Sequence, residues 1–264
     1  MDKKVVLVTG CSSGIGKEVC SMLLQDGYVV YGMSRGDYEF ADLKHLKCDV
    51  TQKESVENAV KEIIDNEGQI DILISNAGMG ISSPIETTKI EDAKKLYDIN
   101  FFGAINVINA VLPFMRERKQ GKILITSSVA SKVGLPFQAF YSASKASLDS
   151  IGFALNLELH DFNIKTCNIL PGDTKTGFTG AREKQTAKNA GVYGEVMERS
   201  VGKMEKDEVC GMSASKVAKV IVKMAKKKRM PIQRVVGAKY RVLTFLIKLL
   251  PIRLANFVVR KMYG

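Results

Sequence analysis

The sequence predicts an α/β fold built on a doubly wound parallel sheet. Short apolar runs that suit buried strands alternate with segments of helical periodicity along most of the 264 residues. A glycine-rich turn joins the first apolar run to the first helical segment. Because strand–helix–strand connections share one handedness, this alternation places helices on both faces of the sheet. We therefore expect three layers in a Rossmann-like single domain, residues 1–264, with a C-terminal helical extension.

Two sequence patterns define the predicted elements. A strand is predicted where about four to eight mostly apolar residues stand together, as at residues 5–8. A helix is predicted where apolar residues recur every three or four positions, as at Val56, Val60 and Ile63. The segment between Arg35 and Cys48 is short, so we expect a loop there. In chain order the predicted strands are residues 5–8, 28–33, 46–50, 71–74, 122–126, 165–170 and 233–236, and the predicted helices are residues 14–26, 53–66, 89–117, 138–161 and 216–229.

Composition argues against a membrane-spanning, metal-binding or disulfide-bonded protein. Apolar residues make up 45% of the chain, yet no apolar run of 18 residues occurs, so we expect no transmembrane helix. The N-terminus leads into the first strand without a signal-peptide pattern, which favours a cytoplasmic location. Five scattered cysteines without a C-x-x-C pair favour a reducing compartment. Two isolated histidines indicate no metal site.

Basic charge is concentrated in the last quarter of the chain. Residues 1–202 carry 23 Lys and Arg against 25 Asp and Glu, whereas residues 203–264 carry 16 against 3. Residues 238–264 form a basic amphipathic segment that Pro251 divides. Two interpretations stay open for this segment: a cover over a pocket or subunit interface, and a peripheral contact with an anionic membrane. Nucleic-acid binding is not expected, because aromatic residues do not alternate with the basic ones.

The turn after the first strand has the glycine spacing of a phosphate-binding loop. Residues 9–16 read T-G-C-S-S-G-I-G, with glycines at 10, 14 and 16. Gly10 allows a tight turn, Gly14 lets the backbone approach a pyrophosphate, and Gly16 lets the helix pack against the sheet. The helix that begins there offers free N–H groups to an anion. An ordinary glycine-rich turn is the alternative, but the position between the first strand and a helix favours a dinucleotide.

The end of the second strand predicts the choice of dinucleotide. A carboxylate at this point would bind the ribose hydroxyls of NAD, but the chain has Ser34 and Arg35 there. A guanidinium pairs well with a 2′-phosphate, and Ser34 can add a hydrogen bond. We therefore predict NADP(H) as the cofactor. Asp49, after the third strand, either binds the adenine amino group or caps a turn.

A tyrosine and a lysine with helical spacing predict proton-transfer chemistry. Tyr141 and Lys145 are four residues apart in a predicted helix and so share one face. An ammonium group beside a phenol lowers the pKa of the phenol from its usual value of about 10. Such a phenol can exchange protons with an alcohol or carbonyl oxygen. Ser128 lies at the end of the fifth predicted strand, thirteen residues before Tyr141.

Taken together, these motifs resemble those of the short-chain dehydrogenase/reductase family over about residues 4–178. Residues 127–137, with the turn at 9–14, resemble its hydroxysteroid and retinol dehydrogenase branch. Residue 75 is Ser where the family often has a second Asn before the N-A-G motif. The motifs are T-G-x-x-x-G-I-G at 9–16, N-A-G at 76–78, Asn100, Ser128, Y-x-x-x-K at 141–145 and P-G-x-x-x-T at 171–176.

The resemblance implies a catalytic set of Asn100, Ser128, Tyr141 and Lys145. Tyr141 would be the general acid and base, and Lys145 would also bind the nicotinamide ribose. Ser128 would hydrogen-bond the substrate oxygen, and Asn100 would hold a water that links Lys145 to solvent. The implied cofactor contacts are Gly10, Ser12, Ser13, Gly14, Ile15, Gly16, Ser34, Arg35, Asp49, Val50, Asn76, Ala77, Gly78, Tyr141, Lys145, Pro171, Gly172, Thr174 and Thr176.

The residues expected near the reacting carbon are mostly apolar, which favours a lipophilic substrate. Residues 177–208 resemble the mobile lid that sets specificity in the family, with polar side chains that include Arg182, Lys184, Tyr193 and Glu195. The expected substrate contacts are Ser128, Leu135, Phe137, Tyr141 and Phe178, with Met79, Phe140 and Asp173 nearby.

The expected function is therefore NADP(H)-dependent interconversion of a ketone and a secondary alcohol. A hydroxysteroid or bile acid is the first substrate hypothesis, and an acyl-ketone lipid or a retinal-type substrate is the alternative. A non-catalytic, NADP-binding scaffold associated with a membrane is an alternative of another class, and the intact catalytic set argues against it. Resemblance to a family that commonly pairs its long helices implies a homo-oligomer.

Overall fold

The computed structural model describes residues 3–264 and contains a seven-stranded, fully parallel central sheet. Its strands are β1 (Val5–Thr9), β2 (Val29–Ser34), β3 (Lys44–Lys47), β4 (Ile72–Ser75), β5 (Gly121–Thr126), β6 (Ile164–Pro171) and β7 (Gln233–Val236). They lie in the order β7-β6-β5-β4-β1-β2-β3, so the winding direction reverses beside β1. This order confirms the predicted doubly wound fold. Met1 and Asp2, the first residues of the predicted domain, lie outside the described residues.

Helices cover both faces of the sheet. They are α1 (Gly14–Gln25), α2 (Lys53–Glu67), α3 (Ile90–Tyr97), α4 (Gly103–Glu117), α5 (Ala139–Glu158), α6 (Phe178–Ala181), α7 (Gly194–Val209), α8 (Ala214–Lys226), α9 (Ala238–Leu249) and α10 (Ile252–Tyr263). Alternate residues of β1 point to opposite faces. Val5 and Leu7 pack in one core with α2, α4 and α5, whereas Val6 and Val8 pack in a second core with α1 and α8.

The third strand lies nearer the N-terminus than its apolar pattern predicts. We expected residues 46–50, but β3 spans Lys44–Lys47 and pairs with β2 from Tyr31 opposite Lys44. Being the edge strand, β3 needs burial on little of its surface, so it carries two exposed lysines that a hydrophobicity pattern does not mark. The segment before it contains no helix among the described residues, as predicted.

The long helix expected at residues 89–117 is present but changes its winding in the middle. Helices α3 and α4 are joined without a break by a π-helical turn at Asp98–Phe102. By length and composition this stretch, Ile90–Glu117, could cross a membrane, contrary to our expectation that no segment of the chain could. Its side chains Val107 and Val111 are nevertheless fully buried in the core on one face of the sheet. The stretch is therefore a core helix in this fold.

Short strand pairs and the C-terminal helices complete the molecule. Residues Ile81–Ser82 pair in parallel with Glu183–Lys184, and Met212–Ser213 pair with Thr174–Lys175. The predicted lid, residues 177–208, contains α6 and most of α7. Pro251 separates α9 from α10, as its position in the sequence indicates. That residues 1–264 form a single domain stays a prediction.

Candidate active site

A cleft of about 680 Å³ lies at the carboxyl ends of the sheet strands. Ligands bind at this edge in doubly wound sheets, beside the point where the strand order reverses. Most of the residues expected from the sequence meet here. Those that line the cleft are Gly10, Ser12, Ser13, Gly14, Ile15, Ser34, Arg35, Asp49, Val50, Asn76, Ala77, Gly78, Ser128, Leu135, Tyr141, Lys145, Pro171, Gly172, Thr174, Thr176 and Phe178.

The glycine-rich turn is held against the neighbouring strand end by close backbone contacts. Gly10 has a φ of 68°, a conformation that favours glycine. A Cβ on Gly16 would lie 2.1 Å from the carbonyl oxygen of Gly10, so only glycine lets α1 begin this close to the turn. Asn76 fixes the other side, because its main-chain N–H donates to the Thr9 hydroxyl at 2.9 Å. The turn therefore leaves room for a ligand directly on the backbone.

The first turn of α1 is suited to an anion. Ser13 precedes the helix, and its side chain makes no capping hydrogen bond to any residue the structure describes. The first turn also carries no acidic residue. The N–H groups that a helix leaves unpaired at this end, with the positive end of its dipole, therefore face the cleft. This arrangement fits the pyrophosphate of a dinucleotide.

At the far end of the cleft, Arg35 is exposed and forms no ion pair with a carboxylate among residues 3–264. The Ser34 hydroxyl lies 2.7 Å from His45 Nε2 and 3.3 Å from the carbonyl oxygen of Gly36. Ser34 is thus less free to meet a phosphate than we expected. Asp49 caps a turn, since its Oδ1 accepts hydrogen bonds from the N–H and the hydroxyl of Thr51, both at 2.9 Å. It still lines the cleft, so both expectations for Asp49 are compatible with its position.

Tyr141 and Lys145 lie one turn apart on α5, with Ser128 opposite them at the end of β5. Lys145 is buried, and its Nζ donates to the carbonyl oxygen of Thr126 at 3.0 Å and lies 5.8 Å from the centre of the Tyr141 ring. The neighbouring Ser127 is used differently, because its hydroxyl donates to the main-chain carbonyl of Lys145 at 3.0 Å. Both serines line the cleft, and the choice of Ser128 over Ser127 as the residue that contacts the substrate stays a prediction.

The expectation that Lys145 lowers the pKa of Tyr141 is not borne out. Burial raises the pKa of the phenol to about 12, although a hydrogen bond with Ser128 and the positive charge of Arg182 act in the opposite direction. Burial also lowers the pKa of the Lys145 ammonium to about 8, partly countered by Asp149. At neutral pH the site therefore holds a protonated phenol beside a lysine that can lose its proton easily.

Asn100 lies behind the cleft rather than in its wall. It sits in the π-helical turn between α3 and α4 and is fully buried. Its Oδ1 accepts from the N–H of Met79 at 2.7 Å, and its Nδ2 donates to the carbonyl of Met79 at 3.0 Å and to Ser144 at 3.2 Å. π-Helical turns are rare and often occur at functional sites. The predicted water contact of Asn100 stays a prediction.

One expected substrate residue, Phe137, lies elsewhere. It has a φ of 61° and packs beside Ala190, Met197 and Val201, so its ring supports α7 instead of lining the cleft. Phe178 does line the cleft, with its ring centre 5.7 Å from that of Tyr141. An aromatic ring therefore lies beside Tyr141 in the cleft wall.

The sequence model described as short chain dehydrogenase matches residues 4–187. The chain belongs to the short-chain dehydrogenase family. It is therefore an oxidoreductase, and its central sheet is that of a short-chain dehydrogenase.

Among known short-chain dehydrogenases, several relatives act on lipophilic compounds according to their names. The 3-ketodihydrosphingosine reductase of Bacteroides thetaiotaomicron is 39% identical, over 100% of this chain and 99% of that relative. Bovine retinol dehydrogenase 8 is 33% identical over 90% of this chain and 82% of its own length. Rat estradiol 17-beta-dehydrogenase 1 is 35% identical over 67% of this chain and 56% of its own length.

Solved structures agree with the fold. A short-chain dehydrogenase from Streptomyces avermitilis is 26% identical, covers 99% of this chain and 97% of its own, and superposes with a TM-score of 0.85. The similar structures include ElxO with NADP bound (24% identity, 91% of this chain and 99% of its own, TM-score 0.76) and a Burkholderia phymatum enzyme in complex with NAD (19%, 94% and 95%, TM-score 0.80). Both nucleotides occur on this fold, so the comparisons establish a nicotinamide dinucleotide and leave its type open.

Sequence reasoning missed an ion pair in the lid of this short-chain dehydrogenase. Arg182 is 5% exposed, pairs with Glu208 and lies 5.6 Å from the centre of the Phe178 ring. Glu208 lines the cleft and also accepts a hydrogen bond from the Thr179 hydroxyl at 2.7 Å. Arg182 was noted as a polar lid residue, but its partner lies 26 positions away, beyond any local spacing rule.

Proposed function

We propose that this protein is an NADP(H)-dependent reductase of a long-chain lipid ketone, with Tyr141 as the proton donor. The observation that carries the proposal is that Tyr141, Ser128 and Lys145 meet in the wall of one cleft. Burial raises the pKa of the Tyr141 phenol to about 12, so at neutral pH it is in the protonated form that can give a proton to a carbonyl oxygen.

Each catalytic residue has a part in this reaction. When bound, the reduced nicotinamide supplies the hydride to the carbonyl carbon. Tyr141 donates its hydroxyl proton to the carbonyl oxygen, and Ser128 donates a hydrogen bond to the same oxygen as negative charge develops on it. Lys145, with a pKa of about 8, then returns a proton to Tyr141. Asn100 holds the chain at Met79 in place next to the lysine.

For the cofactor, we propose NADP(H) on the strength of Arg35. Its exposed guanidinium stands at the end of β2 with no carboxylate partner among the described residues, where it can form charge-assisted hydrogen bonds to a 2′-phosphate. Ser34, which bonds to His45, contributes less than the sequence pattern suggests. The turn at residues 9–16 and the N-terminus of α1 would hold the pyrophosphate.

The substrate hypothesis changes from a steroid or bile acid to an acyl-ketone lipid. The relative named as a 3-ketodihydrosphingosine reductase matches over the whole chain, including the lid and C-terminal helices that enclose the substrate side. The relative named for estradiol matches over 67% of the chain. The substrate side also combines the ring of Phe178 with the carboxylate of Glu208, which suits a lipid that carries polar groups near its ketone.

Measured NADPH oxidation tests the proposal. The purified protein is given a long-chain 2-amino-3-ketone, a steroid ketone and retinal, each with NADPH and with NADH. We expect the fastest turnover with the amino ketone and NADPH. A higher kcat/KM for the steroid would restore the first substrate hypothesis, and a preference for NADH would refute the role of Arg35. Binding of NADPH without turnover of any ketone would contradict the reductase assignment.

A further inference from the structure

Helices α9 and α10 expose an unusually large apolar surface. Of the sixteen large apolar side chains that are exposed in residues 3–264, seven belong to these two helices. On α9 they recur at the i, i+3, i+4 and i+7 positions and so form one stripe. We call the seven residues the C-terminal apolar surface: Val242, Phe245, Leu246, Leu249, Ile252, Leu254 and Phe257.

The charged residues of the segment that carries this surface are all basic. Residues 238–264 contain six lysines and arginines and no aspartate or glutamate. All six basic residues are exposed: Lys239, Arg241, Lys248, Arg253, Arg260 and Lys261. An apolar stripe bordered by Lys and Arg is the pattern of helices that lie in the interface of an anionic bilayer.

The opposite side of the same helices packs against residues that line the substrate cleft. Tyr240 on α9 donates a hydrogen bond to Asp173 at 2.5 Å, and its ring fills the space beside Gly172 where a Cβ would stand. Gly172 and Asp173 both line the cleft. On α10, the buried Ala255 and Val259 face the protein, and the helix contacts α7, which carries Glu208. Helix α9 therefore carries the apolar surface and also touches the wall of the cleft.

We propose that the C-terminal apolar surface binds the surface of an anionic membrane. This binding places the cleft next to the membrane lipid that supplies the substrate. The delivery of substrate rests on the proposed function, whereas the binding itself does not. A second copy of the chain is a poorer occupant of this surface. A two-fold interface brings the same patch together from both subunits, so twelve positive charges would meet with no carboxylate from either segment.

The basic run at residues 226–229 is not part of this surface and supplies a control. It precedes β7, whereas α9 follows that strand, so the two lie at opposite ends of the sheet. The main chain of the run accepts hydrogen bonds from two other lysines: Lys122 Nζ donates to the carbonyl of Lys227 at 2.8 Å and Lys165 Nζ to that of Lys228 at 2.8 Å. The side chains of Lys227 and Lys228 are exposed, so substitutions that reverse their charge alter the net charge of the protein and leave α9 and α10 unchanged.

Co-sedimentation of the full chain with vesicles tests this proposal. The vesicles are phosphatidylcholine with or without phosphatidylglycerol. The first variant pair reverses charge (Arg241→Glu with Lys248→Glu), and the second removes apolar area (Phe245→Ser with Leu249→Ser). The control pair is Lys227→Glu with Lys228→Glu. We expect binding that requires phosphatidylglycerol, an affinity about tenfold or more lower for each α9 pair, and near-parental affinity for the control.

Other outcomes overturn the proposal. The first is that the parent chain does not bind the anionic vesicles, and the second is that the control pair loses as much affinity as the α9 pairs. The third is that the α9 pairs dissociate a parent dimer and leave vesicle binding unchanged, which would assign the surface to a second copy. NADPH binding and melting temperature report whether each variant folds. Vesicle binding as expected, with no reduction of any lipid ketone, would refute the proposed function and leave the membrane surface standing.

Discussion

Arg182, which is buried, and Glu208, which is partly exposed, form an ion pair in the lid, beside the ring of Phe178 and within electrostatic reach of Tyr141. The two charges act on the phenol in opposite directions, since Arg182 lowers the pKa of Tyr141 and Glu208 raises it. The pair therefore links the fold of the lid to the acidity of the proton donor.

Replacing one partner of this pair will destabilise the lid. In the variant Arg182→Met, Glu208 loses its counterion. Because Glu208 is partly exposed, we expect a cost at or below the lower end of the range of about 3–5 kcal/mol that loss of one partner of a fully buried pair causes. We expect a lower melting temperature and faster proteolysis within residues 177–208. The double variant Arg182→Met with Glu208→Gln should recover much of the loss. Equal melting of the single and double variants would mean that the pair carries no coupling energy.

Removing the hydroxyl of Tyr141 will abolish turnover and spare cofactor binding. In Tyr141→Phe the ring still packs against Phe178, but no proton donor remains. We expect kcat to fall by about 10²–10⁴, with the NADPH dissociation constant, measured by fluorescence titration, nearly unchanged. Turnover close to that of the parent would refute the role of Tyr141.

Substitutions of the adjacent residues Ser127 and Ser128 will distinguish a structural role from a chemical one. Ser128→Ala removes the hydrogen bond to the substrate oxygen, and the expected loss is about 10²–10³ in kcat. It also removes the hydrogen bond that Ser128 Oγ accepts from the N–H of Ala130 at 3.1 Å, which should cost about 0.5–2 kcal/mol of stability. Ser127→Ala removes a buried hydrogen bond to the carbonyl of Lys145 and should cost about 1–3 kcal/mol of stability. Its kcat should change much less. The reverse pattern would exchange the two assignments.

Arg35 will determine the preference between the two dinucleotides. Arg35→Ala removes the cation that would pair with the 2′-phosphate, so KM for NADPH should rise about tenfold or more. NADH lacks that phosphate, and its KM should stay near the parental value. Equal increases for both nucleotides would indicate that Arg35 supports the loop and does not read the phosphate.

Because of Lys145, the stability of the protein will vary with pH in the alkaline range. Its pKa is about 8 in the folded chain and 10.5 in the ordinary case, so the unfolded chain binds more protons between these values. The destabilisation that the buried charge causes is present in full below pH 8 and is relieved as pH rises toward 10.5. Lys145→Met removes this contribution. The melting temperature of the parent, relative to that of the variant, should therefore be higher at pH 10 than at pH 7. A constant difference would contradict the shifted pKa.

The sequence predicted the sheet, the cofactor turn and the catalytic helix because each depends on local patterns. Glycines at 10, 14 and 16 must lie where a strand meets a helix, and Tyr141 and Lys145 must share a helical face. The bounds of β3 were less predictable, since an edge strand is fixed by pairing with β2 rather than by apolar residues.

The parts of the site that sequence could not supply depend on distant contacts. The raised pKa of Tyr141 follows from its burial and from the charges of Arg182 and Glu208, which no local pattern encodes. Phe137 appeared apolar and close to the catalytic helix, but its left-handed backbone turns it toward α7. Asn100 was predicted by resemblance, and only the π-helical turn gives the physical reason for a polar residue inside that helix.

The short parallel pairing of Ile81–Ser82 with Glu183–Lys184 has a practical consequence for building chimeras. It fastens the lid to the loop after β4 through main-chain hydrogen bonds, from Glu183 to Gly80 and from Gln185 to Ser82, both at 3.0 Å. Because these bonds use the backbone alone, the segment beyond Gln185 can be exchanged with that of a relative while the junction keeps its geometry. The residues of this segment that determine substrate specificity can then be transferred together, with the nucleotide-binding part of the recipient left unaltered.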